Sequence, residues 1–223
     1  MPCVNRGLNR TSVLAHDGTV GENTAVSSLK IQSLAGPDAR ELVDELAQIR
    51  IRVFQEWPYL YAGSLSYERS YLTTYFDCAE ALVLVVRDND TIVGASTALP
   101  LAAAEPDMQA PFQQAGHPLD EWLYFGESVV LPAYRGQGLG LGFFAERESH
   151  ALSLGLQHCT FCAVERPAAH PARPAHYIGN ERFWENRGYR PLPLQCRYAW
   201  PDIGDAQSTN KTMRFWGRTL PSD

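Results

Sequence analysis

The 223-residue sequence has no long hydrophobic run; its longest clean apolar stretch, residues 81–86, is far too short to span a bilayer. It also lacks a basic run, and its formal net charge is −6, so nucleic acid, which calls for a basic stripe, is not expected as a partner. The N-terminus has no apolar core of the kind a secretory leader needs. The five cysteines (Cys3, Cys78, Cys159, Cys162 and Cys196) are odd in number and follow no such leader, which points to reduced thiols and a cytoplasmic location. No internal repeat stands out. What is present is ordinary for a globular chain: 45% hydrophobic and 20% charged residues, enough for one domain with a useful core.

Residues 1–27 are rich in Asn, Gly, Thr and Ser without a sustained period and read as a flexible tail, which leaves 28–223 as the domain. A short strand is expected at 29–34, then a helix capped by Asp38 with Glu41 as box partner and ending near Phe54. Trp57, Tyr59 and Tyr61 mark an aromatic loop, and Tyr67, Tyr71 and Tyr75 follow at helical spacing. Strands are expected at 81–86, 92–99, 122–130 and 157–164, with an insertion at 103–120 between the second and third. In the helix after 140, Leu141, Phe144, Ala145, Ala151 and Leu152 are assigned to the buried face, with Glu146, Arg147, Ser149 and Ser153 toward solvent. A long loop at 166–176 leads to a short helix at 180–187 stopped by Gly188. Two strands, 189–200 and 211–220, close the chain. This order gives a mixed α/β sheet rather than a regular βαβ repeat.

The chemistry concentrates in Glu127-Ser128-Val129-Val130-Leu131-Pro132-Ala133-Tyr134-Arg135-Gly136-Gln137-Gly138-Leu139-Gly140. A strand runs through a turn with alternate glycines into a helix. Glycine lets backbone approach a ligand closely, and the first helical N–H groups have no partners inside the helix. Such a turn cradles a phosphate or pyrophosphate. A P-loop would need Lys-Ser or Lys-Thr after its last glycine, and the dinucleotide spacing G-x-G-x-x-G fails at Leu141 and again at Phe143.

Pro132-x-Tyr134-Arg135-Gly136-x-Gly138-x-Gly140 resembles the acyl-CoA pyrophosphate motif of the Gcn5-related N-acetyltransferase (GNAT) family, and Phe183-Trp184-Glu185-Asn186-Arg187-Gly188-Tyr189 is similar to that family's last helix end. The resemblance implies a splayed mixed sheet opening between the strands at 122–130 and 157–164. Pantetheine would pair with backbone at Val129, Val130 and Leu131. Pyrophosphate would sit on the N–H groups of Arg135, Gly136, Gln137, Gly138, Leu139 and Gly140. Acetyl-CoA is the implied donor, and a small-molecule amine the implied acceptor.

An alkylamine is protonated at neutral pH and has no lone pair to attack with, so a base is required, and the leaving thiolate needs an acid. The resemblance makes Glu127 the candidate base; its alternative is a structural carboxylate paired with a basic group. The position where the family carries an acidic tyrosine holds Trp184, so Tyr177 becomes the candidate acid, or else a loop aromatic. Asn180 either bonds the pantetheine arm or caps its helix. Glu165, His170, Arg173 and His176 lie on a loop that could reach the acceptor. Cys159 and Cys162 fall three apart within a strand, so they face opposite ways and make a poor metal pair. One or two of Trp57, Tyr59, Tyr61, Tyr67 and Tyr71 are expected to line the acceptor pocket. A second reading keeps the fold without catalysis, as an acyl-CoA-binding regulatory protein. Homodimerisation is expected through Trp200, Phe215 and Trp216.

Overall fold

The computed structural model describes residues 29–221, so the tail at 1–27 lies outside the described residues. One seven-stranded sheet has the order β1-β2-β3-β4-β5-β7-β6. Its strands are β1 (Ile31–Ala35), β2 (Leu82–Asp88), β3 (Thr91–Pro100), β4 (Trp122–Val130), β5 (His158–Val164), β6 (Arg190–Trp200) and β7 (Thr209–Thr219). Every pairing is antiparallel except β4 with β5. The helices are α1 (Val43–Phe54), α2 (Leu65–Phe76), α3 (Pro106–Gln114), α4 (Leu139–Ser153) and α5 (Glu181–Asn186). Among the described residues no helix is long and apolar enough to cross a membrane.

β2 is fully buried over its first five residues and reads accordingly as an unbroken apolar run. α1 and α2 pack over this half of the sheet and meet each other. Ser64 begins α2 by accepting the Tyr67 N–H (3.3 Å), an N-cap of ordinary chemistry. Asp38 does not cap α1. It lies in a 3₁₀ turn over Pro37–Leu42, and α1 begins at Val43 with no side-chain cap.

Two other expectations are corrected. The buried face of α4 is Leu139, Phe143, Phe144, Arg147 and Ala151, while Leu141 and Leu152 are 50% and 46% exposed. Arg147, assigned to solvent from its charge, is buried between the rings of Phe125 (4.0 Å to the centroid) and Phe144 (5.0 Å). Burial lowers its pKa to about 10. Trp200, Phe215 and Trp216 are buried within the chain's own core, so they offer no apolar surface to a second copy.

Candidate active site

β4 and β5 pair at only three positions: Trp122 with His158, Leu123 with Cys159 and Tyr124 with Thr160. β4 then runs on to Val130 and β5 to Val164 without pairing, which opens a V between them. The Leu131 N–H donates to the Val93 carbonyl (2.9 Å), and the Leu131 carbonyl accepts from the Tyr134 N–H (2.9 Å). Backbone groups along an antiparallel strand alternate sides, so Val129 also faces β3 and Val130 faces the gap. The Val130 carbonyl accepts from Arg135 Nε (2.9 Å), and its N–H is left for a ligand.

At the open end of the V, Gly136 (φ 75°) and Gly138 (φ 82°) hold left-handed backbone conformations, and nothing lies within 4 Å of a Cβ placed on either. Glycine is needed there for the backbone itself, not to relieve crowding. None of the N–H groups from Gly136 to Leu141 donates to another of the described residues. They form a run of free donors at the positive end of α4. The Arg135 N–H, by contrast, already donates to the Pro132 carbonyl (3.3 Å). The Arg135 guanidinium clasps both carboxylate oxygens of Glu56 (2.7 and 3.1 Å) and so ties this turn to the aromatic loop.

At the closed end, β4 bulges. Ser96 pairs with Ser128 and Ala98 with Phe125, so Gly126 and Glu127 together oppose Thr97. A Cβ on Gly126 would overlap the Tyr75 hydroxyl. The Glu127 carbonyl is held by Ser96 Oγ (2.6 Å) and Arg147 Nη1 (3.2 Å). The extra residue turns the Glu127 side chain to the face that carries Tyr124. There its Oε2 meets Arg50 in an ion pair and accepts from the Tyr71 hydroxyl (3.3 Å). Arg50 also donates to Glu68 (2.5 Å), so two buried carboxylates share one buried guanidinium.

Arg50, Glu68, Tyr71 and Gly126 border a cavity of about 100 Å³, with Glu127 directly behind Arg50 and Tyr71. α2 and the loop before it contribute Tyr59, Tyr61, Tyr67, Tyr71 and Tyr75 to its wall. β4 contributes Tyr124, and β6 contributes Tyr198 and Trp200. Burial, then the neighbouring Tyr75 and Glu127, push the Tyr71 phenol well above its ordinary pKa. Burial followed by the nearby Cys162 does the same to Tyr124, whose hydroxyl lies 3.3 Å from Cys162 Sγ.

The wall is braced from behind. Asp202 binds Arg166 through both oxygens (2.7 and 2.8 Å) and Lys211 through one (3.0 Å). Arg166 in turn donates to the carbonyls of Pro58 (2.9 Å) and Tyr59 (2.7 Å). This anchors the aromatic loop, in which Leu60 has a left-handed φ of 54°.

Residues 44–178, more than half of the chain, match the profile of the Acetyltransferase (GNAT) family. The chain belongs to the GNAT family. Membership makes it an N-acetyltransferase with acetyl-CoA as donor. No curated protein matches the chain in direct sequence comparison. Solved structures share its fold at low identity. One is yncA from Salmonella typhimurium with its cofactor acetyl-CoA (13% identity, 88% of this chain and 96% of that one, TM-score 0.54). Another is the ribosomal-protein-alanine N-acetyltransferase from Brucella melitensis (14%, 86% and 100%, 0.56). A third is an aminoglycoside 6'-N-acetyltransferase complexed with coenzyme A (16%, 87% and 99%, 0.53).

Within this GNAT frame, four of the five aromatic residues singled out from sequence line the cavity, more than the one or two expected; Trp57 does not. Trp57 instead packs against His170 (5.0 Å between ring centroids) and Tyr177 (6.0 Å). Tyr177, His170, Arg173 and His176 are not among the lining residues, and Glu165 is paired with Arg214 (2.5 Å). Asn180 is exposed and makes no side-chain cap on α5, so its amide is unused by the fold. Trp184 is half-buried against the core, between Phe161 (5.0 Å) and Trp216 (5.1 Å). Cys159 is buried in the core cluster with Phe125 and Phe144, while Cys162 faces the cavity.

Arg50 and Glu68 were missed. Their signal was a charge inside an apolar stripe: Arg50 is four residues after Leu46, and Glu68 four before Leu72.

Proposed function

We propose that this enzyme acetylates a small-molecule amine in the tyrosine-lined cavity, with Glu127 as the general base. The observation that carries this reading is the β4 bulge, which sets the Glu127 carboxylate directly behind Arg50 and Tyr71, two residues of the cavity wall, at the closed end of the donor gap. Both contacts of Glu127 fall on Oε2, so Oε1 is the oxygen left for the acceptor's proton.

The donor enters with its pyrophosphate on the free N–H groups of Gly136 to Leu141 and its pantetheine along β4, meeting the Val130 N–H and the Asn180 amide. The amine arrives as an ammonium. Glu127 takes one proton, the freed lone pair attacks the thioester carbon, and a C–N bond forms as the C–S bond breaks. The sulfur leaves with the bonding electron pair. The nitrogen loses its second proton, the thiolate gains one, and the products are the amide, coenzyme A and one proton released to solvent.

Tyr124 is better placed than Tyr177 to protonate the thiolate. Its hydroxyl faces the cavity at the last paired position of the V, and burial keeps it protonated. The described cysteines are all unpaired, in keeping with a cytoplasmic enzyme.

The test is thiol release from acetyl-CoA across a panel of amines, with wild type beside Glu127→Gln and Arg135→Glu. Amine-dependent release that collapses in Glu127→Gln while acetyl-CoA still binds supports the assignment. Release unchanged in Glu127→Gln removes Glu127 as the base. Arg135→Glu sets a like charge against Glu56 and the pyrophosphate and should weaken the donor.

A further inference from the structure

Glu68 does not fit a purely structural role. It is 0% exposed and lies on the cavity wall. Its Oε2 binds Arg50, while its Oε1 has no partner in hydrogen-bonding geometry among the described residues; the Tyr61 hydroxyl is close enough for Glu68 to raise its pKa, after burial, but is not aligned on Oε1. A buried carboxylate oxygen left bare is costly, and folds rarely keep one without a use.

The charge around it is unbalanced. Glu68 and Glu127 share Arg50, the one cation among the lining residues, and Glu105 adds a further carboxylate where Tyr198 donates to it (2.9 Å). Arg50 itself is closed off by its two carboxylates and by the Tyr71 ring (4.1 Å to the centroid). The wall thus has carboxylate and aromatic faces to attract a cation and, among the described residues, no free cation to receive an anion.

We propose that the acceptor is a compact primary amine without a carboxylate, bound as its ammonium on Glu68 Oε1 with its apolar body among the tyrosine rings. This rests on the acetyltransferase reading above and adds the substrate class. An ammonium supplies three donors and a positive charge, which satisfies Oε1 and offsets the excess of carboxylates. An α-amino acid would bring its own carboxylate against Glu68, Glu105 and Glu127 with no guanidinium or ammonium to meet it. The cavity of about 100 Å³ limits the enclosed part of the acceptor to roughly the size of one small ring.

The experiment compares phenethylamine, phenylalanine and phenylalanine amide as acceptors, by thiol release, and as ligands of the coenzyme A-loaded protein, by calorimetry. Phenethylamine should exceed phenylalanine in kcat/KM by about a hundredfold or more. The amide, which keeps the α-substituent and loses the negative charge, should recover most of the difference. Phenylalanine equal to or better than phenethylamine overturns the inference, and so does failure of all three to bind. If phenethylamine binds selectively yet releases no thiol, the substrate-class inference stands and the catalytic reading falls.

Glu68→Gln should raise the KM for phenethylamine about tenfold and leave that for acetyl-CoA unchanged. Glu105→Gln, at a less buried position, covers the case in which Glu68→Gln does not fold; it should raise the same KM by a factor of about three. An unchanged KM in both variants overturns the proposal.

Discussion

Along the gap between β4 and β5, the two ends are made of different material. At the α4 end the groups left free are backbone N–H groups from one continuous stretch, Gly136 to Leu141, set by two left-handed glycines and open to solvent. At the cavity end they are side chains from α1, α2, β4 and β6, buried and tied to one another by ion pairs and hydroxyl contacts. In the proposed reading this backbone cradle recognises what every donor shares, its pyrophosphate, and is indifferent to side-chain identity apart from glycine. A side-chain chamber can be rebuilt one substitution at a time, which suits the part of the enzyme that must recognise a particular acceptor. The two ends should therefore separate cleanly under mutation.

The largest separation is expected from Glu127→Gln. The amide keeps the shape and can still accept from Arg50 and Tyr71, but it cannot take a proton. We expect kcat to fall by about 10²–10⁴, the usual worth of a general base. Acetyl-CoA affinity by calorimetry should not move. A parallel loss of donor binding would mean that the two ends are one mechanical unit.

Asp202→Asn probes the brace behind the aromatic wall. Burial raises the Asp202 pKa, but the hydrogen bonds from Arg166 and Lys211 outweigh burial and hold it below the ordinary carboxylate value. Its folded pKa is thus depressed, and the stability it contributes is fully present above the unfolded value of about 3.9 and is lost as pH falls through the lower folded value. The variant should lose roughly 3 kcal/mol near neutral pH, because Arg166 and Lys211 keep a partly buried charge with less to pair it. The difference in thermal midpoint from wild type should shrink below about pH 4. The KM for the acceptor should rise with the donor KM unchanged. A pH-independent gap would assign the effect to packing instead.

Gly138→Ala tests the other end. The added methyl meets no atom within 4 Å, so any cost is conformational: about 1–2 kcal/mol to hold alanine at φ 82°. The turn should relax away from that geometry, and the donor Kd should rise about tenfold by calorimetry. kcat at saturating acetyl-CoA should be retained, the mirror image of Glu127→Gln.

The same contrast explains what could be read from sequence. The donor end is contiguous, and its glycines are dictated by backbone geometry, so the run from Glu127 to Gly140 declared both the fold and the ligand. The chamber is assembled across the sheet. Arg50 and Glu68 are plain surface-type residues until α1 and α2 are packed, and only their place in an apolar stripe hints otherwise. The bulge at Gly126 and Glu127 is a property of register with β3 and cannot be seen in β4 alone. Arg147 misled for a related reason. Its charge argued for solvent, but two aromatic rings and carbonyls of Phe143, Thr97 and Glu127 make a site for a guanidinium in the core. Trp200, Phe215 and Trp216 looked like a surface for a second copy because the sequence could not show how much of β6 and β7 the fold encloses.

The smallest effect is expected at Trp184. The family resemblance implies an acidic tyrosine at this position, so the direct experiment is Trp184→Tyr. In this chain the half-buried indole packs on the core between Phe161 and Trp216, on the side of the sheet where Phe144 and Tyr189 also pack, and it is absent from the cavity wall. A phenol placed there has no route to the thioester without a rearrangement of α5. It leaves a small void as well, at a cost of about 1 kcal/mol in denaturant unfolding. We expect kcat to stay within about twofold, because proton delivery is assigned to Tyr124 on the opposite wall. Tyr124→Phe in the same background should lower kcat by at least tenfold if that assignment holds. A rise in kcat on Trp184→Tyr, with little further loss on Tyr124→Phe, would move the acid to the α5 side and make the cavity wall a binding surface alone.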